Sequence, residues 1–336
     1  MIGNIVLIGN PVAGRHALGK IEMAEKIIRA RGFGITVLLT AGKGDAERLA
    51  KDAANRPHTL VIAAGGDGTY NEVANGLARS TTPMAILPLG TTSVLAHELK
   101  MSHDLKSAVD IALMGAVQNI HLGRITLTGQ SAIEETQKKC PEAASSDDHA
   151  SSITSRYFLL MAGIGFDGET VLRTSEWLKR YAGKGAYILS GLKTILSYNP
   201  SLISIDAKLA IGSGLPELAA EPLPSSQKAA GYLAVIGKAS CYGGEFKVTP
   251  GARLTLPHFC VFVTHKKGRW NLLRYAGGVF MATHVRFRDV SYFQATAVTI
   301  QGHAHVQIDG DYFGTTPAKI EIVTDALKIM VSGSPR

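Results

Sequence analysis

The chain has 336 residues, of which 46% are hydrophobic and 18% are charged, as in globular proteins that bury a core. This length exceeds the usual size of a single core and predicts two domains. No apolar run approaches the roughly 18 residues that a membrane-spanning helix needs, so we expect no such helix. The net charge of +8 would suit nucleic acid, but neither a basic helix nor an aromatic RNA-binding motif accompanies it, so we expect no nucleic-acid partner.

The first 120 residues alternate between apolar runs of strand length and segments with helical spacing. We predict strands at 4–9, 35–39, 60–64 and 84–87, helices at 18–30, 44–55, 71–79 and 105–115, and a short segment at 93–99. This alternation is typical of a doubly wound parallel sheet with helices on both faces. Ligands of such sheets bind at the carboxyl ends of the strands, where the loops at 10–14, 40–44, 65–69 and 88–92 would gather.

The most informative segment of the chain is GGDGTYNEVANGL, residues 65–77. Its glycines, Gly65, Gly66 and Gly68, can take positive φ and let backbone amides approach a polyanion, and the following helix start adds free N–H groups. Asp67 would repel a phosphate unless a cation lies between them, and Mg²⁺ prefers carboxylate and phosphate oxygens. The segment therefore indicates a nucleotide phosphate site, with a tight turn and an ordinary helix cap as the simpler alternative.

After residue 120 the pattern changes to short apolar stretches separated by Gly-rich turns, which indicates an antiparallel β-sandwich. The stretches lie at 125–127, 157–161, 232–237, 259–263, 297–300 and 306–308, with one helix predicted at 177–197 and polar segments at 129–152 and 212–229. We place the domains at 1–121 and 122–336, and the last residues are free to return to the first domain.

Several short motifs are spread over nearly the whole chain. They are Asn10-Pro11-Val12-Ala13-Gly14, Thr40, GGDGT with Asn71 and Glu72, Pro88-Leu89-Gly90-Thr91, Gly163-Ile164-Gly165-Phe166-Asp167 and Asp309-Gly310-Asp311. Together they resemble the diacylglycerol kinase catalytic-domain superfamily, which includes bacterial lipid kinases, sphingosine kinases and ceramide kinases. The resemblance implies an ATP-dependent lipid kinase with its active site in the cleft between the domains. Diacylglycerol is the first expected acceptor, and a sphingoid or other lipid alcohol is the second.

The same resemblance assigns roles to individual residues. The nucleotide site would comprise Asn10, Pro11, Gly14, Thr40, Gly65, Gly66, Asp67, Gly68, Thr69, Asn71, Glu72, Gly90 and Thr91. Asp67 would place Mg²⁺ on the phosphates of ATP, partly through water. Asp311 would be the catalytic base, although the family carries glutamate there and the shorter side chain withdraws the carboxylate by about 1.5 Å. A plain hairpin turn is the alternative for residues 309–311.

Two further departures from the family pattern bear on function. Ser93 replaces the asparagine that relatives carry after the PLGT turn, so one side-chain contact is in doubt. In the segment PGARLTLP, residues 250–257, Leu256 stands where many relatives have an aspartate that binds an accessory Mg²⁺, so we expect that metal to be absent and the ATP-linked Mg²⁺ to remain. Two alternatives stay open. One is a kinase for a soluble acceptor such as NAD, and the other, which these departures motivate, is a nucleotide-binding regulator without catalysis.

The compartment and the remaining partners follow from residue distribution. Residues 264–288 contain six Lys/Arg and no acid, interleaved with large apolar residues, which favours adsorption to anionic lipid, with a solvated face over buried aromatics as the alternative. Three widely spaced cysteines and an N-terminus without a basic region suggest a cytoplasmic protein, here in peripheral contact with a membrane. His303 and His305 share a strand face near Asp309, where packing is a better interpretation than a metal site.

Overall fold

The structure, a computed structural model, describes residues 4–57, 59–90, 93–102, 104–128, 154–173, 200–210, 225–242 and 246–333. The predicted helix at 177–197, the polar segment at 129–152, Cys140 and Thr91 lie outside these ranges. The chain divides into two compact units, Met1–Leu122 with Val323–Arg336 and Gly123–Ile322. None of the helices in the described ranges has the length and apolar content that crossing a membrane requires.

The first unit is a parallel sheet with helices on both faces. Its strands are β1 (Asn4–Gly9), β2 (Ile35–Leu39), β3 (Thr59–Gly65) and β4 (Met84–Pro88), and its helices are α1 (Ala17–Ala30), α2 (Asp45–Ala54), α3 (Asp67–Leu77), α4 (Val94–Glu98) and α5 (Leu105–Met114). The strands lie in the order β2-β1-β3-β4, with every neighbouring pair parallel. The doubly wound architecture predicted for this part of the chain is confirmed.

Burial explains why the apolar runs of this unit form strands. All seven residues of β3 are buried, because helices cover both faces of the sheet. Leu60, Ile62 and Ala64 pack in one core cluster with residues of α1 and α5, while the intervening residues of β3 face the other side, where α2 packs against α3. Since the strands are parallel and in register, their carboxyl ends meet at one edge: Gly9 lies beside Leu39, and Gly65 beside Pro88. The loops that follow these strands therefore start from the same edge.

The second unit is antiparallel. It contains β6 (Ser155–Phe158), β7 (Met161–Ile164), β8 (Ile203–Leu209), β9 (Ser226–Gly231), β10 (Leu233–Gly237), β11 (Cys241–Tyr242), β12 (Phe246–Lys247), β13 (Phe259–Thr264), β14 (Val290–Gln301), β15 (His305–Ile308) and β16 (Asp311–Thr315), with helices α6 (Phe166–Arg173) and α7 (Arg269–Phe280). The strands follow the order β16-β15-β7-β10-β13-β14, and β8 and β9 extend from β14. The core includes the stacked rings of Phe158 and Phe259, whose centroids are 5.8 Å apart. The predicted antiparallel β domain is therefore confirmed.

Two long strands contribute to both units. β5 (Ala116–Leu127) leads from the first unit into the second, and β17 (Ala318–Val331) leads back. The start of β17 pairs with β14 through Ala318 and Ile300, and its end pairs with β4 through Ile329 and Met84. The second unit is thus an insertion between β5 and β17, and the first unit takes its last strand from the end of β17.

The structure differs from the predicted elements in two ways. Helix α3 begins at Asp67, within the glycine-rich segment, whereas the helical spacing of apolar residues placed its start at Asn71. Several elements were not predicted at all: α6, α7, β8, β9, β11, β12, β16 and β17. Strand β14 was predicted only at 297–300. Most of its residues are partly buried, so its pattern lacks the run of apolar residues that identifies a buried strand.

Candidate active site

The glycine-rich segment forms the open N-terminus of helix α3. Gly66 is the N-cap residue in an extended conformation, and the first helical hydrogen bond runs from the Tyr70 N–H to the Gly66 carbonyl, at 3.0 Å. The three preceding amides therefore have no acceptor within the helix. Apart from its chain neighbours and its own helix, a Cβ at Gly66 or Gly68 would meet no atom of the described residues within 4 Å, which leaves room for a ligand next to this backbone. Free amides at a helix N-terminus attract anions, phosphate among them.

The expected reason for the glycines was wrong in one respect. Positive φ occurs at nine glycines of the described chain, and Gly65, Gly66 and Gly68 are not among them. Gly65 is required by packing instead, because a Cβ there would lie 2.5 Å from the Oγ1 of Thr69. The Tyr70 hydroxyl also donates to the Gly65 carbonyl, at 2.9 Å. Strand β3 and helix α3 are thereby held close together.

The first loop, residues 10–14, lies against the glycine-rich segment. The Asn10 amide donates to the Thr69 hydroxyl at 3.4 Å, and its oxygen accepts the Val12 N–H at 3.1 Å. Gly14 has φ 113°, and a Cβ there would approach the Leu89 carbonyl to 3.3 Å. The structure therefore brings three of the predicted loops together, those starting at residues 10, 65 and 88.

Asp67 is half-buried and faces the start of helix α4. Its carboxylate accepts hydrogen bonds from the Val94 N–H at 2.9 Å, the Leu95 N–H at 3.0 Å and the Ser93 hydroxyl at 3.1 Å. Burial raises the pKa of Asp67, and these hydrogen bonds oppose that effect. A carboxylate has about four acceptor positions, so three protein donors leave roughly one for water or a metal ion.

Ser93 has a defined role although it departs from the family pattern. Its side chain accepts the Ala96 N–H at 3.1 Å and so caps helix α4, while its hydroxyl donates to Asp67. The turn before α4 therefore remains coupled to the glycine-rich segment.

The other predicted nucleotide residues lie around this centre or support it. The Glu72 carboxylate accepts the Ala46 N–H at 3.1 Å, which places it at the N-terminus of α2. Asn71 is buried and accepts from the Asn75 amide. Thr40 follows β2, and its N–H donates to the Gly9 carbonyl at 2.9 Å. Pro11 and Gly90 are half-buried in their loops.

A second group of polar residues surrounds the turn at 309–311. Asp309 has φ 48°, and its carboxylate accepts the N–H groups of Leu159, Leu160 and Met161 at 2.7, 2.8 and 2.9 Å. The Gly310 N–H donates to the Gln307 side chain at 2.8 Å. This turn is therefore fixed by distant residues, unlike a plain hairpin. It presents the exposed Asp311 at the start of β16.

Gln307 links this turn to Asp167 of the GIGFD motif. The Gln307 amide donates to one Asp167 oxygen at 2.5 Å, and the Tyr242 hydroxyl donates to the other. Burial raises the pKa of Asp167, and both hydrogen bonds oppose the shift. The sequence motif marked Asp167, but nothing in the sequence connected it with Gln307 or Tyr242.

The histidines at 303 and 305 have different surroundings. His305 pairs with Glu169 at 2.8 Å and lies 3.1 Å from the Tyr312 hydroxyl, whereas His303 is exposed. Within the described ranges, no three His, Cys, Asp or Glu side chains are grouped as metal binding would require.

The segment around Leu256 contacts an ammonium group that the sequence did not suggest. Lys238 is 0% exposed, and its Nζ donates to the Leu256 carbonyl at 2.7 Å and to the Arg253 carbonyl. The backbone N–H groups of Lys238 and Ala239 donate to the Leu160 carbonyl at 2.8 and 2.9 Å. A side-chain cation thus joins this segment to the residues that hold Asp309.

A parallel α/β sheet with an open, glycine-rich helix N-terminus, followed by an antiparallel β domain, is the arrangement of a two-domain nucleotide-binding protein. Comparison with family models agrees with this class. The diacylglycerol kinase catalytic domain matches residues 4–125, and the YegS C-terminal NAD kinase beta sandwich-like domain matches residues 161–331. The second model spans just over half of the chain, so the chain belongs to the family that carries this beta sandwich-like domain behind a diacylglycerol kinase catalytic domain.

Similar proteins cover nearly the whole chain. Diacylglycerol kinase of Bacillus subtilis (strain 168) is 27% identical over 322 residues, which are 93% of this chain and 91% of that protein. Diacylglycerol kinase of Staphylococcus carnosus (strain TM300) is 25% identical, with 93% and 90% covered. The crystal structure of a diacylglycerol kinase from Bacillus anthracis str. Sterne has a TM-score of 0.61 at 17% identity and covers 98% of this chain and 97% of its own. A further structure from that strain has a TM-score of 0.68 at 20% identity, with 98% and 95% covered.

Proposed function

We propose that this protein is a lipid kinase that transfers the γ-phosphoryl group of ATP to a lipid hydroxyl, with diacylglycerol as the first acceptor. The observation that carries the proposal is the open N-terminus of helix α3, with Asp67 beside it, in a chain whose relatives are named diacylglycerol kinase. Phosphoryl transfer needs positioning and charge neutralisation more than covalent chemistry, and this arrangement is suited to both.

The residues of the first unit suit Mg·ATP. The free amides of α3 and the open space at Gly66 and Gly68 would accommodate phosphate oxygens, and the loop containing Asn10 borders that space. Asp67 would hold Mg²⁺ through its remaining acceptor position and through water, since three protein donors already fix its carboxylate. Mg²⁺, when bound, supplies the neutralisation of phosphate charge.

Asp311 is our candidate for the base that orients the acceptor hydroxyl. It is exposed, and the turn that carries it is anchored by Asp309 and Gln307, so its position is defined before any substrate binds. We propose that it accepts the proton of the hydroxyl that attacks the γ-phosphorus. The aspartate in place of glutamate makes the position of this turn more important, because the shorter side chain has less reach.

We further propose that the enzyme works on the cytoplasmic side at an anionic membrane surface. A diacylglycerol acceptor resides in a bilayer, so the protein must meet the lipid surface to reach it. A kinase for a soluble acceptor is the second candidate, and the NAD kinase-like description of the second domain favours it.

The test is transfer of labelled γ-phosphate from ATP to diacylglycerol in mixed micelles, with NAD as a separate acceptor. We expect labelled phosphatidic acid from the wild type, and losses of at least about a hundredfold for Asp67→Asn and for Asp311→Asn. Asp206→Asn, an exposed acid on β8, is the matched control and should be fully active. Labelling of NAD alone would overturn the lipid assignment, and an active Asp311→Asn variant would overturn the assignment of the base.

A further inference from the structure

We infer that the outward face of helix α7 enters the headgroup region of an anionic bilayer and docks the enzyme there. The purpose of docking rests on the proposed lipid kinase function. The surface that would dock belongs entirely to the second unit. The helix, its flanking residues 264–268 and 281–288, and the nearby strand β12 carry the observations.

One face of α7 is fixed to the protein. Leu272, Tyr275 and Gly278 are its buried residues, spaced three apart along the helix. A Cβ at Gly278 would lie 2.7 Å from the ring of Phe287, so the helix packs closely at that point. The Tyr275 hydroxyl donates to Asp289 at 2.7 Å. The orientation of the helix is therefore well defined.

The opposite face is apolar, which inverts the usual pattern. With about 100° of rotation per residue, Trp270, Leu273 and Phe280 project away from Tyr275. Trp270 is 74% exposed, Leu273 39% and Phe280 76%, and Met281 just beyond the helix is 71% exposed. A helix on the surface of a globular protein normally turns charged and polar residues outward. The exposed ring of Phe246 on β12 lies 6.0 Å from Phe280 and enlarges the apolar patch.

Cations accompany this apolar patch along the chain. Besides Arg274, the exposed basic residues of the segment are Lys266, Lys267, Arg269, Arg286 and Arg288. The guanidinium of Arg269 lies 5.9 Å from the ring centroid of Trp270. The segment 264–288 contains no acid, and Asp289 follows it directly. Arg274 is used differently, because it pairs with Asp289 and lies 4.8 Å from the ring centroids of both Tyr275 and Phe287. Each Lys or Arg near an anionic membrane strengthens binding severalfold through attraction to the lipid headgroups.

The combination selects a lipid surface over other partners. Large exposed apolar side chains next to cations match a bilayer interface, where rings reach the acyl boundary and cations meet phosphate groups. Nucleic acid would use the cations but would leave Phe280 and Met281 in water. Self-association through this face would bring the cations of two copies together, which is unfavourable.

The test uses Trp270 as a reporter. The chain has two tryptophans, so Trp177→Phe leaves Trp270 as the single tryptophan, which can be excited selectively at wavelengths that tyrosine does not absorb. On addition of vesicles of phosphatidylglycerol and phosphatidylcholine, we expect a blue shift of its emission and quenching by brominated acyl chains. Vesicles of phosphatidylcholine alone should bind at least tenfold more weakly. Absence of shift and quenching on the anionic vesicles would overturn the inference.

A variant pair separates docking from catalysis. Trp270→Ala/Phe280→Ala should reduce vesicle binding at least tenfold, while Leu202→Ala, which removes a 58% exposed leucine elsewhere in the same unit, should not change it. The double variant should keep its activity on a water-soluble short-chain diacylglycerol and lose activity on vesicles. Normal vesicle binding by the double variant, or a wild-type dimer that it converts to monomer, would overturn the inference. Vesicle binding without any lipid phosphorylation would leave docking intact and refute the proposed kinase function.

Discussion

Replacing Asp309 should lower the stability of the protein, whereas replacing Asp311, only two residues away, should lower its activity. Asp309 accepts three backbone N–H groups from the segment 159–161, at 2.7 to 2.9 Å. Asp309→Ala leaves these amides without that acceptor, and each unsatisfied buried group costs roughly 1–3 kcal/mol. Water would reach part of the vacated space, so we expect a loss of about 4 kcal/mol in the free energy of unfolding. For a unit of about 200 residues, this corresponds to a fall in Tm of roughly 8–16 °C.

Asp311→Asn should leave the stability nearly unchanged and lower the activity. Its side chain is exposed, and a surface substitution changes the free energy of unfolding by about 0.5 kcal/mol or less. Loss of a general base, in contrast, lowers kcat by roughly 10²–10⁴-fold. Asn keeps the shape of the side chain, so a loss of activity would report the missing charge.

Thermal unfolding by circular dichroism and phosphoryl transfer at 20 °C measure the two effects separately. Asp309→Asn adds a second test of the anchor, because its amide nitrogen would face at least one N–H donor of the segment 159–161. It should therefore also be destabilised. An Asp309→Ala protein with the Tm of the wild type would refute the anchor. An Asp311→Asn protein that is destabilised by several degrees would show that this side chain is structural.

Three further predictions concern packing, capping and protonation. Gly65→Ala places a Cβ 2.5 Å from the Oγ1 of Thr69 and should cost roughly 1–3 kcal/mol by urea unfolding; an unchanged midpoint would contradict the packing role. Ser93→Ala removes the cap of α4 and should cost about 1 kcal/mol in the same measurement, and Ser93→Asn should restore part of it. Burial raises the pKa of the Cys260 thiol from its usual 9.0. In a Cys140→Ser/Cys241→Ser protein, which keeps Cys260 as its single cysteine, alkylation at pH 8 should therefore stay slow until the protein unfolds. The stability that this protonated thiol contributes is complete below its unfolded pKa and is lost as the pH rises towards the raised folded value.

The strands of the first unit could be predicted from the sequence because buried strands there consist mostly of apolar residues. Strands covered on both faces read as continuous apolar runs, so β1 begins and ends where it was expected, and β3 extends one residue further at each end. Helix α3 begins earlier than expected because glycine and aspartate do not show apolar spacing, although both residues fit the first turn of a helix. Its site was still recognisable, because the residue types that leave a helix N-terminus open are themselves a local signal.

The second unit was harder to predict because its determinants are distant in sequence. The hydrogen bond from Leu159 to Asp309 joins residues 150 positions apart, and that from Gln307 to Asp167 joins residues 140 apart. A turn motif such as Asp-Gly-Asp shows that the chain reverses, but it does not show which distant backbone amides donate hydrogen bonds to its carboxylate. The buried Lys238 is a similar case, since lysine in a sequence predicts a solvated surface.

Strand β17 has a consequence for biosynthesis. The nucleotide-binding unit begins at the N-terminus but takes its last strand from residues that leave the ribosome about 200 positions after its fifth helix, once the whole inserted domain has been translated. The inserted domain is continuous in sequence and has all its strands earlier. During synthesis, the second unit can therefore be completed before the first. Until β17 emerges, the edge of β4 in the first unit stays unpaired, and this edge is exposed to mispairing and to chaperones.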